Sequence, residues 1–124
     1  MMAFIAIGLG AAIGAWLRWG LGLWLNPIYP ALPLGTLAAN LAGGYVIGLA
    51  IAWFGEHPGL PPEARLFMIT GLLGGLTTFS TFSAEVVVAL MRGLWVNGGL
   101  IALTHMTGSF AATALGFYTM RLFK

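Results

Sequence analysis

The sequence predicts an all-α membrane protein with four transmembrane helices per subunit, the third of them broken. Of its 124 residues, 60% are hydrophobic and only 6% are charged, and the mean hydropathy is +0.96. These values lie outside the range of water-soluble domains. The chain is therefore expected to form one transmembrane domain over residues 1–124 and to face membrane lipid.

Uncharged stretches place the four spans at about residues 3–25, 34–55, 65–91 and 97–121, because a span needs roughly 20 apolar residues. The segment NPIYPALP carries three prolines between the first two spans, so it ends one helix before the next begins. The first stretch lacks a basic leader and a cleavage signal, so we expect it to be retained.

The third span contains GLLGGLTTFSTFSAE, residues 71–85, in which glycines and hydroxyl residues interrupt the apolar run. This composition predicts a helix break near residues 74–78. In hydrocarbon every backbone N–H and C=O needs a partner, so a break indicates a nearby cavity, an ion or another subunit. Broken helices at this depth favour a function in transport.

The few charged residues predict how the subunits are arranged. With four spans, Arg65, Arg121 and Lys124 fall on one side of the membrane, and Arg92 and Arg18 fall on the other. The charge bias that normally fixes orientation is thus nearly absent, which permits insertion in both directions. Four short helices also enclose little space. We therefore predict a dual-topology, antiparallel homodimer.

Several functional classes are disfavoured by what the sequence lacks. It has no cysteine, so disulfides and thiolate metal sites are excluded. Its five basic residues are too dispersed for a nucleic acid surface. No phosphate-binding glycine motif, paired-carboxylate motif or histidine-rich metal motif is present, so we do not expect an enzyme.

Polar and aromatic residues after the predicted break are candidates for an ion pathway. Phe79 and Phe82 share one helix face, with Ser80 and Thr81 between them. A phenyl ring has a positive edge, which can face an anion without binding it tightly. Packing against lipid or the protein core is the alternative role for these rings.

Polar groups in other spans give further candidates. Asn40 could bond another helix or offer its amide to an anion. Glu85 and Arg18 could line a vestibule, or Glu85 could reach water and Arg18 the membrane interface. His105, Ser109 and Thr113 recur every four residues on the fourth span and could line a wet path, although Ser and Thr can also bond their own helix.

The chain also resembles the Fluc family of fluoride channels, also called CrcB proteins. The resemblance lies in four segments, which are GAWLRW at 14–19, GTLAANLAGG at 35–44, GGLTTFSTFSAE at 74–85 and GSFAATALGF at 108–117. It implies a dual-topology, antiparallel dimer with two fluoride pores, each built from both subunits. It also implies passive fluoride export and fluoride resistance at the bacterial inner membrane.

The resemblance implies roles for individual residues. Phe79, Phe82 and Asn40 match pore-facing positions, and Glu85 matches a vestibule position. Members of a polar track are matched by Ser80, Thr81, Ser109 and Thr113. His105 and Ile101 lie where some relatives carry Ser and Tyr.

A structural sodium ion at the dimer centre is also implied, with the backbone carbonyls of Gly74 and Thr77 from both subunits as ligands.

Two other functions compete with a channel. A small multidrug exporter can also be a four-span dimer, but it normally uses a midplane carboxylate, and Glu85 is the only acid inside any predicted span. An accessory subunit of a larger complex would leave the break and the polar stripe unexplained. Motifs of this kind do not separate a channel from a coupled carrier, so only the resemblance favours the channel.

Overall fold

The computed structural model describes residues 1–124, and it is all-helical. Four of its helical stretches are long and apolar enough to cross a membrane, and these are Met2–Ile28, Leu34–Gly55, Pro62–Met91 and Trp95–Leu122. An all-helical chain with four candidate spans is therefore confirmed. The third span begins at Pro62 rather than at residue 65, because proline at a helix start loses no needed N–H bond.

The helices follow one another in the order α1 (Met2–Leu25), α2 (Leu34–Gly55), α3 (Pro62–Arg65), α4 (Gly74–Leu76), α5 (Phe79–Met91) and α6 (Trp95–Leu122). A short 3₁₀-helix, Asn26–Ile28, follows α1. A π-helical segment, Leu66–Leu73, joins α3 to α4. The third span thus consists of α3, the π-helical segment, α4 and α5.

Specific side chains support the ends of these helices. Asn26 Oδ1 accepts hydrogen bonds from the N–H groups of Gly35 at 2.7 Å and Thr36 at 3.2 Å, so it caps the start of α2 from outside that helix. At the start of α5, Thr78 Oγ1 accepts from the N–H of Thr81. Gly93 has φ of 75°, which lets the chain turn sharply between α5 and α6.

Glycines bring the helices together in two close pairs. A Cβ added at Gly10 of α1 would collide with the backbone of the third span at Phe67 and Leu72, and one added at Gly14 would collide with it at Leu72 and Leu76. A Cβ added at Gly48 of α2 would likewise collide with the backbone of α6. These small-residue stripes therefore pack helices within one subunit.

The exterior of the helical assembly is largely apolar. Only 18 of the 124 residues are buried, and large hydrophobic side chains such as Phe4, Trp24 and Phe110 are exposed. A surface of this composition suits contact with lipid hydrocarbon rather than with water. The protein is therefore a multi-pass membrane protein.

Candidate functional site

A cavity of about 400 Å³ lies beside the third span, between α2 and α6. Its wall includes both ends of the predicted break and much of the predicted polar path. Among its lining residues are Asn40, Thr77, Phe79, Phe82, His105 and Ser109. The structure thus brings together candidates that are widely separated in the sequence.

The backbone is extended between α4 and α5. Thr77 has φ and ψ of −86° and 153°, and Thr78 has −150° and 118°. In a continuous helix the N–H of Thr78 would pair with the carbonyl of Gly74, but here it donates to Asn40 Oδ1. The N–H of Thr81 donates to Thr78 Oγ1 instead of to the carbonyl of Thr77. The carbonyls of Gly74 and Thr77 therefore lack these helical donors.

Asn40 of α2 holds this extended segment through both sides of its amide. Its Oδ1 accepts from Thr78 N at 2.7 Å, and its Nδ2 donates to Thr78 O at 3.0 Å. Because a backbone N–H can only donate, the atom facing it must be the amide oxygen, which fixes the orientation of the side chain. We call this pair of bonds the Asn40–Thr78 clamp. Its Oδ1 supplies the partner that a continuous helix would otherwise provide for Thr78 N, and its Nδ2 adds a donor to Thr78 O.

The second proton of Asn40 Nδ2 donates to His105 Nδ1 at 3.0 Å. His105 must therefore accept at Nδ1, so its neutral ring carries its proton on Nε2. The side chain is 2% exposed, and Nε2 is buried without a hydrogen-bond partner. The ring stacks on Phe82 with centroids 4.5 Å apart and an interplanar angle of 23°.

Phe79 and Phe82 differ strongly in their surroundings. Their rings meet edge to face, with centroids 5.3 Å apart and an interplanar angle of 77°. Phe82 is 7% exposed, whereas Phe79 is 72% exposed on the outside of the single chain. One ring therefore belongs to the wall between α5 and α6, and the other stands at the open side of the cavity.

The predicted polar track is only partly assembled at the cavity. Ser109 lines it, whereas Ser80, Thr81 and Thr113 are not among its lining residues. Thr113 Oγ1 donates to the carbonyl of Gly44 at 2.9 Å, so its hydroxyl proton is already used. The hydroxyls of Ser109 and Thr81 make no hydrogen bond within the chain.

The two charged vestibule candidates lie in different environments. Arg18 Nε donates to the carbonyl of Gly75 at 3.1 Å, at the end of α4. Glu85 Oε2 accepts from Thr36 Oγ1 at 2.7 Å, and its Oε1 is buried without a partner. Glu85 also borders a second cavity of about 150 Å³, together with Arg92. Arg18 therefore contacts the backbone near the extended segment, whereas Glu85 faces a separate space.

Sequence reasoning missed the roles of two residues, namely Thr36, which holds Glu85, and Thr78, which lies inside the predicted break and pairs with Asn40. Thr36 is 5% exposed and holds Glu85, although its place one turn before Asn40 in an apolar span was a usable signal. Thr78 acts through its backbone and as the cap of α5. Backbone partnering of this kind has no signature in side-chain type.

Fold and site define a class of protein, namely a small multi-pass membrane protein with a polar-lined cavity beside non-helical backbone. The chain belongs to the CrcB family, because its residues 5–117 match the model described as CrcB-like protein, Camphor Resistance. A Thiobacillus denitrificans protein named fluoride-specific ion channel FluC is 75% identical over 124 residues, which is 100% of both chains.

Other relatives bear the same name. A Ralstonia pickettii protein is 60% identical over 123 residues, which is 99% of this chain and 98% of the relative. A Nitrosospira multiformis protein is 60% identical over 121 residues, which is 98% of this chain and 94% of the relative. The similarity thus extends over nearly the full length of each.

Proposed function

We propose that this protein is a fluoride-selective channel through which fluoride leaves the cell passively across the bacterial inner membrane. The observation that carries the proposal is the cavity in which the Phe79–Phe82 pair, the hydroxyl of Ser109 and the extended Thr77–Thr78 segment meet. Full-length relatives named fluoride-specific ion channel support the choice of ion and of a channel over an enzyme.

The arrangement suits a small anion for a physical reason. Moving an unpaired ion out of water into apolar surroundings costs tens of kcal/mol, so the pathway must replace the lost hydration. Phenyl edges and isolated hydroxyls are weak donors, and several in series let an ion enter without being trapped. Thr81 and Ser109 supply such hydroxyls, whereas the hydroxyl of Ser80 lies 3.3 Å from Thr78 Oγ1 and shares a hydrogen bond with it. Thr113 supplies an oxygen rather than a free proton in this arrangement.

We further propose that two copies assemble as an antiparallel, dual-topology homodimer with two pores. On the single chain the cavity is bordered by exposed apolar side chains, Phe79 at 72% and Phe110 at 68%. A second copy would cover this face and supply the missing wall. The nearly balanced charges at the two membrane surfaces support insertion in both orientations.

A sodium ion at the dimer centre fits the donors present near the extended segment. The carbonyls of Gly74 and Thr77 have lost their helical donors, as the bonds of Thr78 N and Thr81 N show. Carbonyl oxygens are hard ligands that suit a hard cation. We propose that these carbonyls from both copies hold sodium, which would supply positive potential between the pores.

Fluoride efflux from liposomes tests the proposed function. The purified protein is reconstituted, potassium and valinomycin clamp the voltage, and chloride is measured in parallel. We expect fast fluoride efflux and little chloride efflux. Fluoride efflux equal to that of protein-free liposomes, from protein that is folded, would overturn the proposal. Equal chloride efflux would overturn the selectivity.

A further inference from the structure

We propose that the second cavity binds the headgroup of a membrane phospholipid that carries a primary ammonium, as phosphatidylethanolamine does. The ammonium would pair with the carboxylate of Glu85, and the phosphate would pair with the guanidinium of Arg92. This site is separate from the proposed ion path, because the two cavities share no lining residue. The inference therefore goes beyond the proposed function, and it is tested without measuring fluoride.

The first argument comes from the carboxylate of Glu85. Its Oε2 accepts a hydrogen bond from Thr36 Oγ1 at 2.7 Å, whereas its Oε1 is buried and has no partner in the chain. The one ion pair within the chain joins Lys124 to Glu56, so no basic side chain neutralises Glu85. A carboxylate oxygen that has lost its hydration needs a donor, and a cationic donor compensates it best. The cavity beside Glu85 has room for such a donor.

The second argument comes from Arg92, which lines the same cavity but does not pair with Glu85. The Arg92 side chain is exposed. The cavity thus presents a free acceptor at Glu85 and a free cation at Arg92. A ligand that satisfies both must carry a positive and a negative group close together. A phosphodiester joined through two methylene groups to an ammonium has this arrangement, and a guanidinium matches the geometry of phosphate oxygens.

The third argument comes from the position of the cavity along the membrane normal. The third span ends at Met91 and the fourth begins at Trp95, so Arg92 lies in the turn between them. Trp95 is 70% exposed, and tryptophan and arginine at the ends of spans typically lie at the level of the lipid headgroups. Basic pockets between transmembrane helices at this level bind lipid headgroups. The cavity is therefore at the depth where a phospholipid presents its charged groups.

The size and the rim of the cavity suit one headgroup. Its volume is about 150 Å³, and a water molecule occupies about 30 Å³ in the liquid, so the cavity has room for an ammonioethyl arm but not for acyl chains. Val88 and Leu94 line the cavity and are 44% and 46% exposed, so its rim continues into the apolar outer surface. The acyl chains of the bound lipid can lie on that surface while the headgroup enters the cavity.

Lipid binding to the purified wild-type protein tests the inference. Native mass spectrometry in detergent compares phosphatidylethanolamine, phosphatidylcholine and phosphatidylglycerol with identical acyl chains. The trimethylated nitrogen of phosphatidylcholine has no N–H, and phosphatidylglycerol has no positive charge. We expect phosphatidylethanolamine to bind about ten-fold more tightly than either. Equal affinities for phosphatidylethanolamine and phosphatidylcholine would overturn the inference, and this comparison does not depend on how any variant folds.

Two substitutions separate the ammonium contact from the phosphate contact. Glu85→Gln can keep the bond from Thr36 through its amide oxygen, but it then places an amide nitrogen at the Oε1 position, where it opposes a donor. This change should reduce the preference for phosphatidylethanolamine over phosphatidylcholine to about two-fold or less. Arg92→Gln should weaken the binding of both lipids to a similar extent, because both carry the phosphate. Arg121→Gln removes an exposed arginine at the opposite end of α6 and should match the wild type.

A preference for phosphatidylethanolamine that persists in Glu85→Gln would overturn the inference, as would equal effects of Arg92→Gln and Arg121→Gln. Free phosphoethanolamine distinguishes a lipid from a soluble ligand with the same charged groups. We expect it not to displace phosphatidylethanolamine at equal concentration, because it lacks the acyl chains that lie on the apolar rim. Displacement at equal concentration would identify a soluble occupant and overturn the assignment of the site to a lipid.

Discussion

The bonds of the Asn40–Thr78 clamp predict how much the substitution Asn40→Ala lowers the free energy of unfolding. This change removes the acceptor of Thr78 N, the donor to Thr78 O and the donor to His105 Nδ1, at 2.7, 3.0 and 3.0 Å. Interhelical hydrogen bonds in membranes average about 0.6 kcal/mol, so three of them give roughly 1.8 kcal/mol. Each buried group left unpaired can add about 1–3 kcal/mol.

Thr78 is only half-buried, so water in the cavity can replace part of what its backbone loses. We therefore expect Asn40→Ala to lower the free energy of unfolding by about 2–4 kcal/mol. The measurement is reversible denaturation in mixed micelles, followed through the fluorescence of the five tryptophans. Protein and detergent concentrations stay fixed, because association makes apparent stability depend on them.

Asn97→Ala provides the matched control for Asn40→Ala. Asn97 is a half-buried amide on α6 that makes no side-chain hydrogen bond within the chain. Its removal should change the free energy of unfolding by no more than about 0.5 kcal/mol. The reasoning is refuted if Asn40→Ala lowers stability by less than about 1 kcal/mol, or if the two substitutions have equal effects.

Three further outcomes are expected. Gly48→Ala should destabilise the protein by about 1–3 kcal/mol, because its Cβ would collide with the carbonyl oxygen of Thr113 and lie 3.0 Å from the N of Phe117. Gly20→Ala should not destabilise it, because nothing lies within 4 Å of that Cβ, and equal unfolding curves for the two variants would contradict this. Replacing sodium by N-methyl-D-glucamine should lower the stability of the wild type and of Thr77→Val equally, because backbone carbonyls are the proposed sodium ligands. A stability of Thr77→Val that no longer depends on sodium would indicate instead that the Thr77 hydroxyl binds the ion. Phe82→Leu should reduce stability by about 1 kcal/mol and Phe79→Leu by less, because Phe82 is 7% exposed and Phe79 is 72% exposed. A larger loss of thermal stability in Phe79→Leu than in Phe82→Leu would contradict this packing.

The number of helices could be predicted from the sequence because the membrane imposes a simple rule on composition. The prolines between residues 26 and 33 and the uncharged stretches determine where spans begin and end, within a few residues. The start at Pro62 needed only the rule for proline at helix N-termini. These signals are local, so they do not depend on which helices later pack together.

The site was less accessible from the sequence because its key bonds join distant positions. Asn40 was a candidate from its type and depth, but its partners Thr78 and His105 lie 38 and 65 residues away. Nothing local indicates that its amide oxygen takes the N–H of Thr78 that a continuous helix would pair with Gly74. The bond of Arg18 could not be predicted for the same reason, since its contact with the carbonyl of Gly75 follows from tertiary packing. Long-range pairing to backbone atoms is where sequence patterns carry least information.

The two close helix pairs have a consequence for how the chain is made. Gly10 and Gly14 of α1 meet the third span, and Gly48 of α2 meets α6, so neither early helix has its closest neighbour when it leaves the ribosome. Both must wait in the bilayer as independently stable helices. Fittingly, the first two spans are the most apolar of the four. The cavity therefore has all the walls that one chain can give it only after α6 has been synthesised, and the proposed pores need the second copy as well.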